Sequence, residues 1–283
     1  MSIGPPPFRW WAFTLYLVSK GDAFMANDYE SFKKDVFNLT KIDLNAYKER
    51  QMKRRIDSLI TKHNCKGYDV YVDLLKKDKD LFEEFVNFLT INVSEFYRNP
   101  EQWKILETVV FPELVKKHGN NLKIWSAACS TGDEPYSLVM LLSKFMPLNR
   151  IKIIATDIDN QVLDKARLGL YNKKSLAALP KEFVDKYFTQ VSATSYQISN
   201  DIKKCVEFKK HNLLTDQYPT GCNMIVCRNV LIYFTEEAKD GIYKKFYDAL
   251  ARDGILFVGS TEQIIQYKQY GYESDRSFFY RKS

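Results

Sequence analysis

Two apolar runs in this chain end in the same way, and that shared ending constrains the fold more than any other feature. Met224 to Cys227 breaks into Arg228-Asn229-Val230-Leu231-Ile232-Tyr233-Phe234 before a helix opens at Thr235. Upstream, Ile124-Trp125-Ser126-Ala127-Ala128 runs into Cys129-Ser130-Thr131-Gly132-Asp133-Glu134, and Pro135 opens a helix, where its fixed φ and missing N–H are tolerated. Ligands of open α/β sheets sit at the carboxyl ends of strands. Two such strand ends predict one shared cleft.

The segments around them alternate. Strands are expected at 122–128, 151–156, 206–210, 224–227 and 255–258, with helices at 135–145, 161–168 and 236–250. This rhythm predicts an α/β fold with a doubly wound, mostly parallel sheet over residues 118–283. Tyr187 to Ile202 alternates polar residues with turns, which predicts a short antiparallel β insertion at about 187–205; Ser277 to Arg281 reads as a terminal edge strand. From Asp28 to about Lys117 the period is helical instead, with Phe32, Val36 and Leu39, then Tyr71, Leu74 and Leu75, then Leu81, Phe82, Phe85, Val86 and Leu89 on successive faces. A small all-helical N-terminal domain is expected at 26–117.

At 283 residues and 45% hydrophobic content the chain can bury a full core beside a smaller domain. The five cysteines are odd in number and scattered, which supports neither a disulfide framework nor a CxxC zinc site. The three histidines form no HExxH pattern, and no metal is expected. A reducing cytoplasm is the simplest compartment. The apolar run Phe8 to Val18 is shorter than the roughly 20 residues that span a bilayer and lacks a clear signal-cleavage site. Residues 1–25 read as an extension outside the fold, with Met25 a plausible natural start.

Leu44 to Lys62 places Met52, Ile56, Leu59 and Ile60 on one helical face, while Arg50 and Arg54 project from the other with Lys53 and Arg55 beside them. Seven basic residues stand against three acidic ones between Lys41 and Lys62. Such a face is either simply solvated or docks an acidic partner by electrostatic complementarity.

The cleft needs a ligand. A dinucleotide requires glycines where the backbone approaches pyrophosphate, yet the turn Ala128 to Gly132 has one glycine, and no GxxxxGK[ST] loop occurs. A cofactor without phosphates is favoured. S-adenosylmethionine suits carboxylates: Asp157, ending Ala155-Thr156-Asp157, is placed either to accept hydrogen bonds from a ribose or to cap the next helix.

Taken in order, Asn92-Val93-Ser94-Glu95-Phe96-Tyr97-Arg98, the Trp125-to-Tyr136 turn, Ala155-Thr156-Asp157-Ile158-Asp159, His211-Asn212-Leu213-Leu214 and Cys227 to Phe234 resemble the CheR family of bacterial chemotaxis receptor methyltransferases. The likeness covers roughly Tyr29 to Tyr280, and Gly259-Ser260-Thr261-Glu262-Gln263 resembles its Bacillus-like forms. It implies a class I, Rossmann-like methyltransferase that transfers a methyl group from S-adenosylmethionine to glutamates on the cytoplasmic helical bundle of chemoreceptors. Asn92, Ser94 and Arg98 would line the cofactor pocket, Glu134 and Asp157 would hold the amino acid and ribose portions, Asn212 and Leu213 would frame the adenine, and Arg228 and Asn229 would complete the floor. Arg98 and Tyr233 would lie closest to the transferred methyl. Arg50, Lys53, Arg54 and Arg55 would dock the receptor. A monomer without membrane insertion or nucleic-acid binding is expected.

A glutamate is already ionised at neutral pH, so attack on a sulfonium methyl needs positioning rather than a general base. Two rival functions stand beside this one. A nucleic-acid methyltransferase would explain the net charge of +7, but Arg228-Asn229-Val230-Leu231 replaces the Asn/Asp-Pro-Pro-Tyr tetrad usual in base amino methylation. A noncatalytic receptor adaptor retaining the pocket is the other.

Overall fold

The chain falls into two units that meet in sequence between Leu89 and Thr90. A computed structural model describes residues 28–283; the readings made on residues 1–25 lie outside the described residues. The first unit contains α1 (residues 28–40), α2 (Glu49–Lys62), α3 (Tyr68–Lys77) and most of α4 (Lys79–Thr90). Met52, Ile56, Leu59 and Ile60 are buried along one face of α2, as their spacing requires. Aromatic rings fill the centre: Phe32 lies 4.8 Å from Tyr68 and 6.2 Å from Phe85 between centroids, and Tyr71 lies 5.8 Å from Phe85. Bulky rings let a unit this small bury enough apolar area to hold four helices.

The second unit opens with a long helix in three parts, α5 (Pro100–Ile105), a π-helical turn (Leu106–Val110) and α6 (Phe111–His118). Pro112 lacks the N–H that would continue the ladder and its ring crowds the preceding turn; the widened turn just before it absorbs that conflict. Trp103, Leu106, Val110, Phe111 and Leu114 pack in the same core cluster as Ile124, Val139, Met224 and Phe257 of the sheet layers. The division therefore falls at residue 89 rather than near 117. Helical period alone cannot tell which core a helix joins.

After α6 come β1 (Ile124–Ala127), α7 (Asp133–Leu142), β2 (Ile153–Asp157), α8 (Asn160–Leu168), β3 (Leu170–Asn172), α9 (Lys181–Tyr187), β4 (Phe188–Gln190), β5 (Ser195–Ile198), α10 (Asn200–Lys203), β6 (Val206–Lys210), β7 (Cys222–Cys227), α11 (Glu236–Ala249), β8 (Leu250–Val258), β9 (Tyr272–Arg276) and β10 (Phe279–Lys282). Seven strands form one sheet in the order β6-β2-β1-β7-β8-β10-β9. The first five run parallel, with β10 antiparallel to β8 and β9 antiparallel to β10. β1 and β7 are buried at every residue, as strands covered on both faces must be. The chain steps outward from β1 through β2 to β6, then crosses to β7 on the other side, so the topological switch point lies between β1 and β7.

Two expectations need correction. The small antiparallel sheet, in the order β3-β5-β4, starts at Leu170 rather than 187, because three-residue β3 is too short to show alternation and α9 separates it from its partners. The terminal strand β10 is internal. The edge is β9, hidden in the sequence by Glu273, Ser274, Asp275 and Arg276. Replacing Phe111, fully buried where α6 meets the sheet core, with Ala is expected to cost roughly 3–5 kcal/mol in urea unfolding; a loss below about 1 kcal/mol would detach α6 from that core.

Candidate active site

The turn after β1 takes a conformation normally supplied by glycine. Ala128 (φ 61°), Ser130 (φ 48°) and Gly132 (φ 89°) are all left-handed, a state that costs a non-glycine residue about 1–2 kcal/mol. At Gly132 no other residue fits, since a Cβ there would meet Ala166 at 2.9 Å and the Tyr171 hydroxyl at 3.1 Å. The turn is a glycine-loop fold written largely without glycine, and α7 follows it directly.

Acidic groups surround this turn. Asp157, at the end of β2, accepts the Ser130 N–H at 2.8 Å and the Asp159 N–H at 3.1 Å. Only 7% of it is exposed, and burial pushes its carboxyl up from 3.8 to about 6 against the opposing pull of those N–H groups. Glu134, in the first turn of α7, accepts the Ser126 hydroxyl at 2.8 Å, and burial raises its carboxyl above the usual range although Arg228 lowers it. Asp133 is buried too, raised by the same cause, and accepts the hydroxyls of Thr131 and Ser94. The Ser130 hydroxyl is buried with no hydrogen-bond partner among the described residues.

Arg228, the first residue after β7, ties the cleft together. Its Nη2 donates to the Arg98 carbonyl at 2.8 Å, Asn99 Oδ1 at 3.1 Å and Gln102 Oε1 at 2.7 Å, while Nη1 reaches Glu134 Oε2 at 3.5 Å. The guanidinium also lies over the rings of Phe257 and Trp103, at 4.8 and 5.9 Å. Its head group is thus committed to the protein.

The structure gathers most of the residues read from the sequence onto the carboxyl ends of the strands. Asn92 donates to Asp159 and to Thr90, each at 2.8 Å, fastening the segment before α5 to the end of β2. Ser94 bonds Asp133. Arg98 is half-buried, its guanidinium 3.4 Å from the Val93 carbonyl. Asn212 follows β6 and builds its own turn, accepting the Leu214 N–H at 2.9 Å; neighbouring Leu213 is buried, and its carbonyl accepts the Tyr218 hydroxyl at 2.7 Å. Asn229 is left-handed at φ 61°, and Tyr233 stands half-buried in a short 3-10 turn, Leu231–Tyr233.

The basic residues of α2 divide. Arg50 and Arg54 are exposed. Lys53 pairs with Asp57 at 3.3 Å, and Arg55 turns inward to donate to the Phe88 carbonyl at 2.5 Å with its guanidinium over the Phe88 ring. Sequence reasoning gave no role to Gln102, to the Ser130 hydroxyl or to Glu262, which is buried and takes backbone N–H groups from the turn after β7. For Glu262 there was a signal: an acid three residues beyond a glycine that ends a predicted strand.

These groups suit hydroxyls and an ammonium rather than phosphates, for acidic side chains line the turn and a free buried hydroxyl lies within it. A doubly wound sheet with that site at its switch point defines an S-adenosylmethionine-dependent methyltransferase. Comparison with known proteins agrees. The model described as "CheR methyltransferase, SAM binding domain" matches residues 92–277, and "CheR methyltransferase, all-alpha domain" matches 27–90. Similar proteins include the chemotaxis protein methyltransferases of Listeria innocua (41% identical, covering 92% of this chain and 98% of that one) and Borreliella burgdorferi (33%, covering 82% and 86%). Among solved structures, a TehB-like SAM-dependent methyltransferase from Corynebacterium glutamicum is 15% identical with a TM-score of 0.36, covering 64% of this chain and 92% of that one. The chain belongs to the CheR methyltransferase family.

The raised Asp157 carboxyl sets a pH dependence whose sign is fixed. Its folded value lies above its ordinary one, so it contributes stability that is present below about 3.8 and lost as pH rises through about 6. Across that window Asp157→Asn should remove up to roughly 2–3 kcal/mol of pH-dependent stability, read as a flatter curve of unfolding free energy against pH. Equal slopes in wild type and variant would place the titration elsewhere.

Proposed function

We propose that this methyltransferase converts glutamate side chains of chemoreceptor cytoplasmic helices to methyl esters, as part of chemotactic adaptation in the cytoplasm. The observation that carries this is the similarity to chemotaxis methyltransferases over 92% of the chain, through both the helical unit and the sheet unit. No helix of the described residues is long and apolar enough to cross a membrane, which fits an enzyme working on the receptor's cytoplasmic part.

Bound S-adenosylmethionine supplies an electrophilic methyl on a sulfonium. In this reading Glu134 and Asp157 would hold the cofactor's ammonium and ribose hydroxyls, charged groups meeting donors that would leave their burial less costly. Asn92 and Ser94 hold the wall before α5 in place, Asn212 and Leu213 border the adenine, and Asn229 completes the floor. Arg228 acts through its hold on Glu134 and on the Arg98 carbonyl, since its head group is already spent on those contacts. The methyl that the cofactor supplies would pass to a receptor carboxylate that is already ionised, so no residue of the chain would have to take a proton. Arg98 and Tyr233 orient that carboxylate. An arginine gripping it too tightly would stabilise the ground state, which favours the side-on role left to Arg98 by its long contact with Val93.

Docking falls to the exposed pair Arg50 and Arg54, which have no ion-pair partner among the described residues; Lys53 and Arg55 support the helix. The tetrad expected of a base-methylating enzyme is absent at Arg228 to Leu231, and nucleic acid is not the favoured acceptor.

A tritiated-methyl assay with receptor membranes, RNA or buffer tests the reading. Base-labile label on the receptor is expected; base-stable label on RNA, or none anywhere, would refute it. Asp157→Ala should raise the dissociation constant for S-adenosylhomocysteine at least about tenfold by calorimetry. Arg54→Glu should cut receptor methylation roughly fivefold or more while leaving that constant unchanged; parallel loss of both would make α2 merely structural.

A further inference from the structure

Glu262 lies beyond β8, in a turn closed by its own N–H to the Gly259 carbonyl at 3.0 Å. The residue is 5% exposed, and its carboxylate faces no cation within ion-pair distance among the described residues. Instead it collects four backbone N–H groups. Oε2 accepts from Asn229 and, at 3.0 Å, from Gly259; Oε1 accepts from Leu231 at 2.7 Å and Ile232 at 3.3 Å. The ends of β7 and β8 are thereby joined by one side chain. Burying a carboxylate without a counter-ion is costly unless several donors meet it, and burial does raise this group against the lowering by those same N–H groups. A residue with only a packing task would be apolar here.

The donors show what the carboxylate controls. Asn229 is held in the left-handed region, and Leu231 and Ile232 begin the 3-10 turn that carries Tyr233. Among the described residues none of the three N–H groups has another backbone acceptor, so without Glu262 the turn would lose the acceptor that its donors share. Gly259 must be glycine for the same reason: a Cβ there would meet Glu262 Oε2 at 2.5 Å and the Asn229 N at 3.0 Å. Leu231, Ile232 and Glu262 also line one wall of a cavity of about 450 Å³ bounded by Tyr243, Ile264 and Tyr270, so the turn has open space into which it can move once released. Arg228, by contrast, is anchored by its own contacts to Arg98, Asn99, Gln102 and Glu134.

We infer that Glu262 is a positioning residue for methyl transfer, its carboxylate clamping Asn229 to Ile232 so that Tyr233 is held toward the acceptor, with Asn229 the one cofactor-floor residue it shares and the rest of the cofactor side held through Arg228. This rests on the receptor-glutamate reading above for the acceptor, and on the geometry alone for the clamp. Two independent anchors on one turn predict a split between binding and turnover.

Glu262→Gln keeps the shape but turns an NH₂ donor toward two of the backbone donors. The folded variant, with a thermal midpoint within about 5 °C of wild type, should lose about a hundredfold in kcat for receptor methylation while its dissociation constant for S-adenosylhomocysteine, which the clamp reaches only through Asn229, rises by less than about tenfold. Hydrogen exchange at the Leu231 and Ile232 amides, slow in the wild type, should become fast. Gly259→Ala, which displaces the carboxylate without removing its charge, should show the same split with a smaller kcat loss, and it decides the matter if the glutamine variant does not fold. Unchanged kcat, a matching loss of cofactor affinity, or unchanged exchange at those two amides would each overturn the clamp. Absence of receptor labelling by the wild type would refute the acceptor instead, and the exchange and calorimetry would still decide whether Glu262 holds the turn.

Discussion

One buried guanidinium organises the cleft. Arg228 joins the end of β7 to the segment 98–102 and to α7 through three uncharged acceptors and one carboxylate, with aromatic faces on the remaining sides. A buried charge of this kind contributes little net stability, yet removing a partner leaves it uncompensated at about 3–5 kcal/mol. Burial lowers its proton affinity while Glu134 raises it, and an arginine remains charged regardless. The consequence is geometric: β1, α7, the start of α5 and β7 cannot drift apart without exposing or orphaning that charge.

The same economy appears in the turn after β1. Ala128 and Ser130 accept left-handed backbone that glycine would take freely, and strain of that size persists only where surrounding structure fixes it. Here Asp157 fixes it, drawing in the Ser130 N–H at 2.8 Å, and Gly132 supplies the one position where space forbids any side chain. Strain, buried acids and a hydroxyl with no partner among the described residues converge on the turn after β1.

How much of this could be read from residues depends on whether the controlling interaction is local. Period and strand-end chemistry located β1, β2, β6, β7, β8 and the helices between them, because parallel strands buried on both faces leave continuous apolar runs. The buried face of α2 followed from spacing for the same reason. What escaped was non-local. Membership of α5 and α6 in the sheet unit depends on which core Trp103 and Phe111 meet; β9 is polar because it is an edge; Lys53 and Arg55 look like surface charges until Asp57 and Phe88 are seen beside them. The scarcity of glycine pointed to a cofactor without phosphates but did not show the left-handed backbone at Ser130, which is held by Asp157, a residue distant from it in sequence.

Glu134, Asp157 and Glu262 share a feature that separates this site from a phosphate-binding one. All three are carboxylates pushed upward by burial, near the strand ends where the proposed reading puts a cationic methyl donor and an anionic acceptor. In that reading Glu134 and Asp157 hold the donor's ammonium and ribose, but a third free carboxylate beside them would repel the incoming glutamate. Glu262 avoids this conflict by spending its charge on backbone N–H groups, and Arg228 tempers Glu134 from behind. In the proposed reading the field a substrate carboxylate meets is set by half-buried Arg98, whose head group no acid holds among the described residues. Attraction for the donor and tolerance of the acceptor are thus reconciled by where each buried charge is satisfied, rather than by how many charges the cleft contains.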